Sequence, residues 1–531
     1  VTKGAVALVL HAHLPYVRSA QPGSLEEDWF FQALIECYLP LLETLELASA
    51  DPHQQPKLTI GLSPTLLSLL SDQDLKQRFP DWLNERLDLL PKADPSLRAG
   101  AEHLAATIER HQRAWQSCDG DLIQRFAALQ RQGVVDLLTC GATHGYLPLL
   151  RHHPEAVRGQ LRTAVREHQR LVGERPLGIW LPECAYYEGL DRWMRDAGLR
   201  YAVLDGHGLL HGRPRPRYGV YAPICSRNGV AFFGRDSDAT LPVWSAKDGY
   251  PGDPHYREFH RDLGWDLPIE ELKPLGLEQP RPLGLKLHRV TDHSAPLDRK
   301  RPYEPGVAAE RVKEHAADYL QGRRRQLDQL GAAMDVPPLL VAPFDAELFG
   351  HWWFEGPAFL SQLFQQAPQE GVSFTRLRDV LNNVGQLQLC DPSPSSWGQG
   401  GYHDYWLNDS NAWIIPEWEK ASAAMVQRCS RGVGSEQAMQ WLQQAARELL
   451  LAQSSDWSFI LRAGTTTELA KERVQRHLGR FWQLMQAIDG TTALPEGWLE
   501  EVQTDDRLFP LIQPLDWAPL QPTAQPSAPN A

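Results

Sequence analysis

Six short runs of apolar residues set the limits on how this chain can fold, because each is continuously apolar and each stops abruptly at a proline or at a residue with chemistry. Ala5–Leu10 (AVALVL) stops at His11, KLTIGLSPTL breaks at Pro64, and GVVDLLTCGATHG follows a helical stretch. LGIWL at 177–181 stops before Pro182 and Glu183, YAVL at 201–204 before Asp205, and LLVAPF at 339–344 before Asp345. A strand that alternates apolar and polar residues is wet on one face, whereas an unbroken apolar run is covered on both, as in parallel sheets. Between the runs lie helical patterns, among them 26–48 with Pro40 as an expected kink, 156–172 and 188–198. This strand–helix alternation predicts an α/β chain with a parallel sheet, either closed as a barrel or open and doubly wound. The barrel is favoured, because functional-looking residues follow at least four successive strand ends, where α/β barrels keep their chemistry.

A chain of 531 residues is too long for one simple core. The reading is a catalytic unit over 1–390, interrupted by a helical insertion at about 72–130, where Leu, Trp and Ile recur at three- and four-residue spacing. From 235 to 266 the sequence turns polar and rich in Gly and Pro, too long for a structureless connector, and is read as a lid loop. GLKLHRVTD at 284–292 is read as one more strand. A C-terminal unit over 391–508 begins with an aromatic, Gly-rich segment and continues as helices at about 416–430, 435–453 and 465–487, expected to pack on the barrel mouth. The stretch 509–531, rich in Pro, Ala and Gln, is expected to be disordered.

A net charge of −13, with only the short basic clusters 299–301 and 323–325, argues against nucleic acid or an anionic membrane as partner. The seven cysteines are scattered without metal or disulfide spacing, no apolar stretch approaches a membrane span, and a cytoplasmic setting is expected. The 18 tryptophans, many in polar contexts such as SSWGQGGYHDYWLNDSNAW, offer flat apolar faces that suit stacking on the rings of a neutral sugar.

Glu183 and Asp345 each follow an apolar run amid aromatic residues, and strand ends of one barrel converge on one mouth. Two such carboxyls are what a retaining glycosidase needs, one as nucleophile and the other as acid and then base. Glu347 is the alternative acid, since positions 345 and 347 share a face if the strand continues. Glu188 reads better as a cap on the next helix. His11 and His13 lie two apart, which puts both imidazoles on the inward face. The same spacing opens metal-dependent hydrolases, which could enlist His144, His207, His288 and Asp345. Such an enzyme has little use for Glu183 framed by Trp180 and two tyrosines, and neutral histidines serve equally as hydrogen-bond partners of sugar hydroxyls. No cofactor or metal is therefore expected, and Cys184 is read as core. A metal-dependent deacetylase or amidohydrolase, and a noncatalytic glucan-binding protein, stay open as alternatives.

Five stretches, HAHLP at 11–15, GLSPTL at 61–66, WLPECAY at 180–186, APFDAELFGHWWFEG at 342–356 and SSWGQGGYHDYWLN at 395–408, together with GYPGD at 249–253, resemble the family 57 glycoside hydrolases and within them the 1,4-α-glucan branching group. The resemblance implies an incomplete (β/α)7 barrel with a helical insertion and an all-helical C-terminal domain. It implies Glu183 as nucleophile, Asp345 as general acid/base, Tyr250 as a lid tyrosine, and substrate contacts from His11, His13, His144, Trp352, Trp397 and Trp406. It also implies donor and acceptor α-glucan chains as partners, with transfer to a 6-hydroxyl as the reaction. A 4-α-glucanotransferase or α-amylase of the same family is the alternative.

Overall fold

The computed structural model describes residues 4–19, 22–245, 247–432 and 434–519. Among the described residues there are nine strands: β1 (Ala5–Ala12), β2 (Leu58–Leu62), β3 (Val135–Leu138), β4 (Gly178–Ile179), β5 (Tyr201–Leu204), β6 (Ile224–Cys225), β7 (Ala231–Gly234), β8 (Leu339–Asp345) and β9 (Gln388–Leu389). They form two sheets, ordered β3-β2-β1-β8 and β4-β5-β7-β6-β9. Every pairing is parallel except β6 with β7. A parallel bridge from Thr139 to Ile179 joins β3 to β4, so the two sheets run on from one another.

Alternate residues of these strands separate into two cores, which explains why the runs are unbroken. Ala7 and Val9, Tyr201 and Val203, Ala231 and Phe233, and Leu339 and Val341 meet in one interior cluster. Their neighbours Val6, Leu8, Leu10, Ala202, Leu204, Phe232, Leu340 and Phe344 pack outward beneath the helices. A side-chain period of two with both faces buried requires apolar residues at every position. The interior row of β1 runs on through His11, and that of β8 through Asp345, which pair with each other in register. The same parity that builds the core thus delivers an imidazole and a carboxyl to its open end.

Between β2 and β3 the chain forms helices that include Gln73–Leu89, Arg98–Gln116 and Leu122–Arg131. The segment expected to kink at Pro40 is instead two helices, Leu25–Ala33 and Leu39–Ala50, joined by a π turn at Leu34–Tyr38. The extra residue per turn ends just before Pro40, which occupies an early position of the second helix, where its missing N–H costs no hydrogen bond.

Three expectations are corrected. Residues 284–292 join neither sheet and make only isolated bridges, Arg257 with Arg289 and His288 with Pro302. Leu285 and Leu287 are buried, and so are Lys286 and His288, so the segment is covered on both sides by packing without joining a sheet. The expected lid at 235–266 is largely structured, with helices Ser237–Trp244 and Leu263–Asp266 and a 3-10 turn at Tyr250–Gly252. The tail is ordered through 519: Phe509, Ile512 and Trp517 are buried, and the Trp517 indole lies so close to Gly159 that a Cβ there would clash. Three well-spaced apolar anchors hold a segment whose overall composition looked disordered. Residues 520–531 lie outside the described residues.

The C-terminal unit contains four main helices rather than three: Ile414–Ser430, Glu436–Ala452, Ser455–Ala463 and Thr467–Ile488. Its Ser454 bridges to Gly145 and the Ser455 N–H donates to the His144 carbonyl at 3.1 Å, which fixes the unit on the loop that follows β3.

Candidate active site

A cleft of about 840 Å³ opens at the carboxyl ends of β1 and β8. It brings together His11, His13, His144, Glu183, Asp345, Glu347, Trp352 and Trp397 with Asp456 and Phe459 of the helix Ser455–Ala463.

Glu183 sits in a 3-10 turn just after β4, with φ of 61° and ψ of 24°. His144, with φ of 56°, and Cys184, with φ of 50°, share that left-handed backbone. Non-glycine residues rarely adopt it, and strain of this kind persists where the surroundings over-determine it. Here they do. The Glu183 carbonyl accepts from the Trp397 N–H at 3.0 Å. Its side-chain Oε2 accepts from Trp397 Nε1 at 2.9 Å, and its Oε1 from Ser455 Oγ at 3.2 Å.

Behind Ser455 runs a chain of imidazoles. His144 Nδ1 lies 2.8 Å from Ser455 Oγ, and His144 Nε2 lies 3.0 Å from His11 Nε2. Burial, with the neighbouring histidines adding to it, holds the pKa values of His11 and His144 well below the usual histidine value, so both are neutral. With neutral rings the chain is satisfied by one direction only. His11 Nε2–H donates to His144 Nε2, His144 Nδ1–H donates to Ser455, and Ser455 donates to Glu183. His13 stacks on His144 at 3.9 Å and pairs with Asp456 at 3.1 Å. Burial opposes that pair, but the attraction between the two outweighs it, raising the pKa of His13 and holding Asp456 down to about 2.

The two carboxyls differ in environment. Burial lifts the pKa of Glu183 to about 7, against the pull of the Trp397 and Ser455 donors. Asp345 is lifted well above the carboxylate range by burial, then by the Glu347 and Glu183 charges, and among the described residues no hydrogen-bond donor reaches its carboxyl. Glu183 is thus equipped to be ionised and Asp345 to be neutral, which is how one site runs two carboxyls in opposite roles. Glu347 does not extend the strand. It turns into a 3-10 segment and accepts from the His13 N–H at 3.0 Å and from Tyr38 Oη at 2.6 Å.

The remaining expected residues divide. Trp352 is 45% exposed on the cleft wall, while Trp406 is 2% exposed, stacks on Tyr146 at 4.6 Å and does not line the cleft. Tyr250 also lies outside the lining: its ring stacks on His315 at 4.6 Å and its hydroxyl donates to Asp318 at 2.7 Å. The residues that its segment sends to the cleft are Phe259, His260, Asp262 and Trp265. His207 turns to Asp205 and the Gly401 carbonyl, and His288 does not reach the cleft, so the histidine set of a metal hydrolase is not assembled. His13, His144 and Asp456 lie close enough to hold an ion, yet their polar atoms already pair with one another and with Ser63 and Ser455. Ser455 and Asp456 escaped the sequence reading. The one signal was SSDWS, a polar interruption of a Leu- and Ala-rich helical stretch that reads as an ordinary helix cap.

Residues 7–391 match the model of glycosyl hydrolase family 57, and residues 417–517 match the C-terminal model of 1,4-alpha-glucan branching enzymes. Among curated proteins the chain is similar to a 1,4-alpha-glucan branching enzyme of Thermococcus kodakarensis, 31% identical over 96% of this chain and 77% of that one. Among solved structures it is similar to the alpha-amylase AmyC of Thermotoga maritima, 34% identical, with a TM-score of 0.90 over 98% of this chain and 100% of that one. It is also similar to the family 57 branching enzyme of Pyrococcus horikoshii, 31% identical, with a TM-score of 0.88 over 98% of each chain. With its sheets, cleft and matched length taken together, this chain belongs to glycosyl hydrolase family 57.

Proposed function

We propose that this protein is a 1,4-α-glucan branching enzyme. It cleaves an internal α-1,4 linkage with retention and transfers the released chain to a 6-hydroxyl of another glucan. The observation that carries the reading is the pair of carboxyls in one cleft, one holding two hydrogen-bond donors and the other none.

Glu183 attacks the anomeric carbon while Asp345 protonates the departing glycosidic oxygen, which leaves a glucosyl ester on Glu183. Asp345, now ionised, takes the proton from the incoming 6-hydroxyl as that oxygen displaces Glu183. The Trp397 indole and the Ser455 hydroxyl steady Glu183 as an anion both before attack and as it leaves. Transfer outruns hydrolysis where water is excluded and the acceptor is held, and the aromatic residues Trp29, Phe259, Trp265, Trp352 and Phe459 around the cleft suit that purpose. The lid role of Tyr250 calls for the turn at 250–252 to leave His315 and Asp318 and swing over the cleft.

The incomplete (β/α)7 barrel belongs to this reading. β8, β1, β2 and β3, followed by β4, β5 and β7, make seven parallel strands in succession, and the Asp236 N–H donates to the Val341 carbonyl at 2.8 Å across the remaining gap. The domain division at about 390, a cytoplasmic setting and independence of metal and cofactor belong to it as well.

The likeness to an α-amylase structure supports a second reading, hydrolysis. A proton NMR spectrum of amylose incubated with the protein separates the two. New α-1,6 anomeric signals with few new reducing ends are expected. Reducing ends without α-1,6 signals would establish an amylase, and redistributed α-1,4 chains a 4-α-glucanotransferase.

The pH profile tests the carboxyl roles. Activity requires Glu183 ionised, so the acid limb of kcat/KM is expected near the Glu183 pKa of about 7, with activity rising as pH rises through it. Trp397→Phe removes a donor to the anion and should move that limb up by roughly one pH unit, since a hydrogen bond to a charged group is worth about 1.5 kcal/mol or more. A limb that stays in place would remove Trp397 from the mechanism.

A further inference from the structure

Lys286 is a buried cation that the mechanism above does not use. The residue is 5% exposed and lines the same cleft as Glu183, Asp345, Phe259, Trp265 and Trp352. Among the described residues no acceptor is paired with its ammonium by a hydrogen bond or ion pair, and Nζ stands over the face of Phe259, 3.9 Å from the ring centroid. The balancing charge is Glu36, but both Glu36 oxygens are already committed, Oε1 to Arg257 at 2.9 Å and Oε2 to His351 at 2.6 Å. Glu258 is likewise paired with Lys300, and Asp262 accepts from the backbone N–H groups of Gly264, Leu283 and Gly284. An ammonium has three donors and no acceptor, and one that no protein group meets is free to donate to a ligand in the cleft it lines.

Resting on the branching reading, we propose that Lys286 is a glucan-binding residue. Its ammonium donates hydrogen bonds to ring hydroxyls of an α-1,4-linked glucosyl unit that lies against the aromatic wall of the cleft, and so fixes the register of the bound chain. The geometry supplies what one sugar ring needs. The exposed faces of Trp265 (52%) and Trp352 (45%) offer apolar platforms, and a charged donor without a protein partner lines the same cleft. Carbohydrate hydroxyls are neutral acceptors, so they satisfy the ammonium without the like-charge crowding that a further carboxylate beside Glu36 and Asp262 would bring. Burial holds the Lys286 pKa below the ordinary lysine value, with the Glu36 charge acting against that shift. Because Glu36 keeps its own two partners, loss of Lys286 leaves it paired.

The test is maltoheptaose binding, measured by calorimetry on full-length protein carrying Glu183→Gln, which separates binding from turnover. Adding Lys286→Met is expected to weaken binding roughly tenfold to hundredfold, the range for a hydrogen bond to a charged donor, with little change in Tm. Lys286→Arg should fall between the two. Equal affinity with and without Lys286→Met overturns the proposal, as does a large fall in Tm with affinity intact, which would make Lys286 a structural counter-charge for Glu36. Should Lys286→Met fail to fold, a crystal of Glu183→Gln soaked in maltoheptaose decides: a sugar oxygen within hydrogen-bond distance of Lys286 Nζ upholds the role, and none there overturns it. A parent that binds no maltoheptaose at all sinks the glucan reading and this role with it, whereas a binding parent that is indifferent to Lys286→Met sinks this role alone.

Discussion

Glu183→Gln is expected to abolish transfer and hydrolysis together, by at least about 10⁴-fold in kcat, a loss in the range seen when a covalent nucleophile is removed. Both outcomes pass through the same ester, so no acceptor, water included, can bypass the loss. The amide keeps the shape of the side chain, and its oxygen can still accept from Trp397 or Ser455. The fold should therefore survive, and Tm should stay close to that of the parent. The measurement is the rate of α-1,6 linkage formation and the rate of reducing-end release in the same incubation. Substantial transfer by the variant would refute the assignment.

Asp345→Asn should cost about 10² to 10⁴ in kcat, the usual range for a positioned proton donor. The side chain is half-buried and among the described residues has no donor to its carboxyl, so the amide should introduce little strain. The effect depends on the leaving group. A maltosyl fluoride, whose fluoride departs without protonation, should regain most of the first step with Asp345→Asn, and added azide should then capture the ester. Glu347→Gln should show no such rescue, because that carboxylate holds the His13 N–H and Tyr38 and serves the backbone between β8 and the cleft. A rescue seen at Glu347 rather than Asp345 would exchange their roles.

The sheets and the principal carboxyls were legible in the sequence for one physical reason. Parallel strands covered on both faces show as unbroken apolar runs, and a residue with chemistry at the end of such a run has few structural roles to play. His11 and Asp345 were accessible in this way because they extend the interior rows of β1 and β8. The false strand at 284–292 had a different pattern, Leu285 and Leu287 alternating with Lys286 and His288, and all four are buried without any strand partner. Ser455 and Asp456 were hidden because they act across 311 and 443 residues, on His144 and His13, from what looks locally like a helix cap. Trp406 shows the opposite failure. An aromatic residue in a polar stretch suggested an exposed platform, but its ring fills a buried space against Tyr146. Lys286 could not be singled out, because whether a lysine has partners is a property of the folded cleft.

The helix Ser455–Ala463 gives the active site a place in time as well as in space. During synthesis, a nascent chain that has emerged through β8 already carries Glu183 and Asp345, yet the hydroxyl that holds Glu183 Oε1 and the carboxylate that pairs with His13 are still unmade. Until residues 454–456 arrive and dock on the loop after β3, the left-handed turn at Glu183 lacks one of its two side-chain donors and His144 Nδ1 lacks its partner. On the proposed carboxyl roles, a fragment that ends before residue 454 is expected to lack this support at Glu183, His144 and His13.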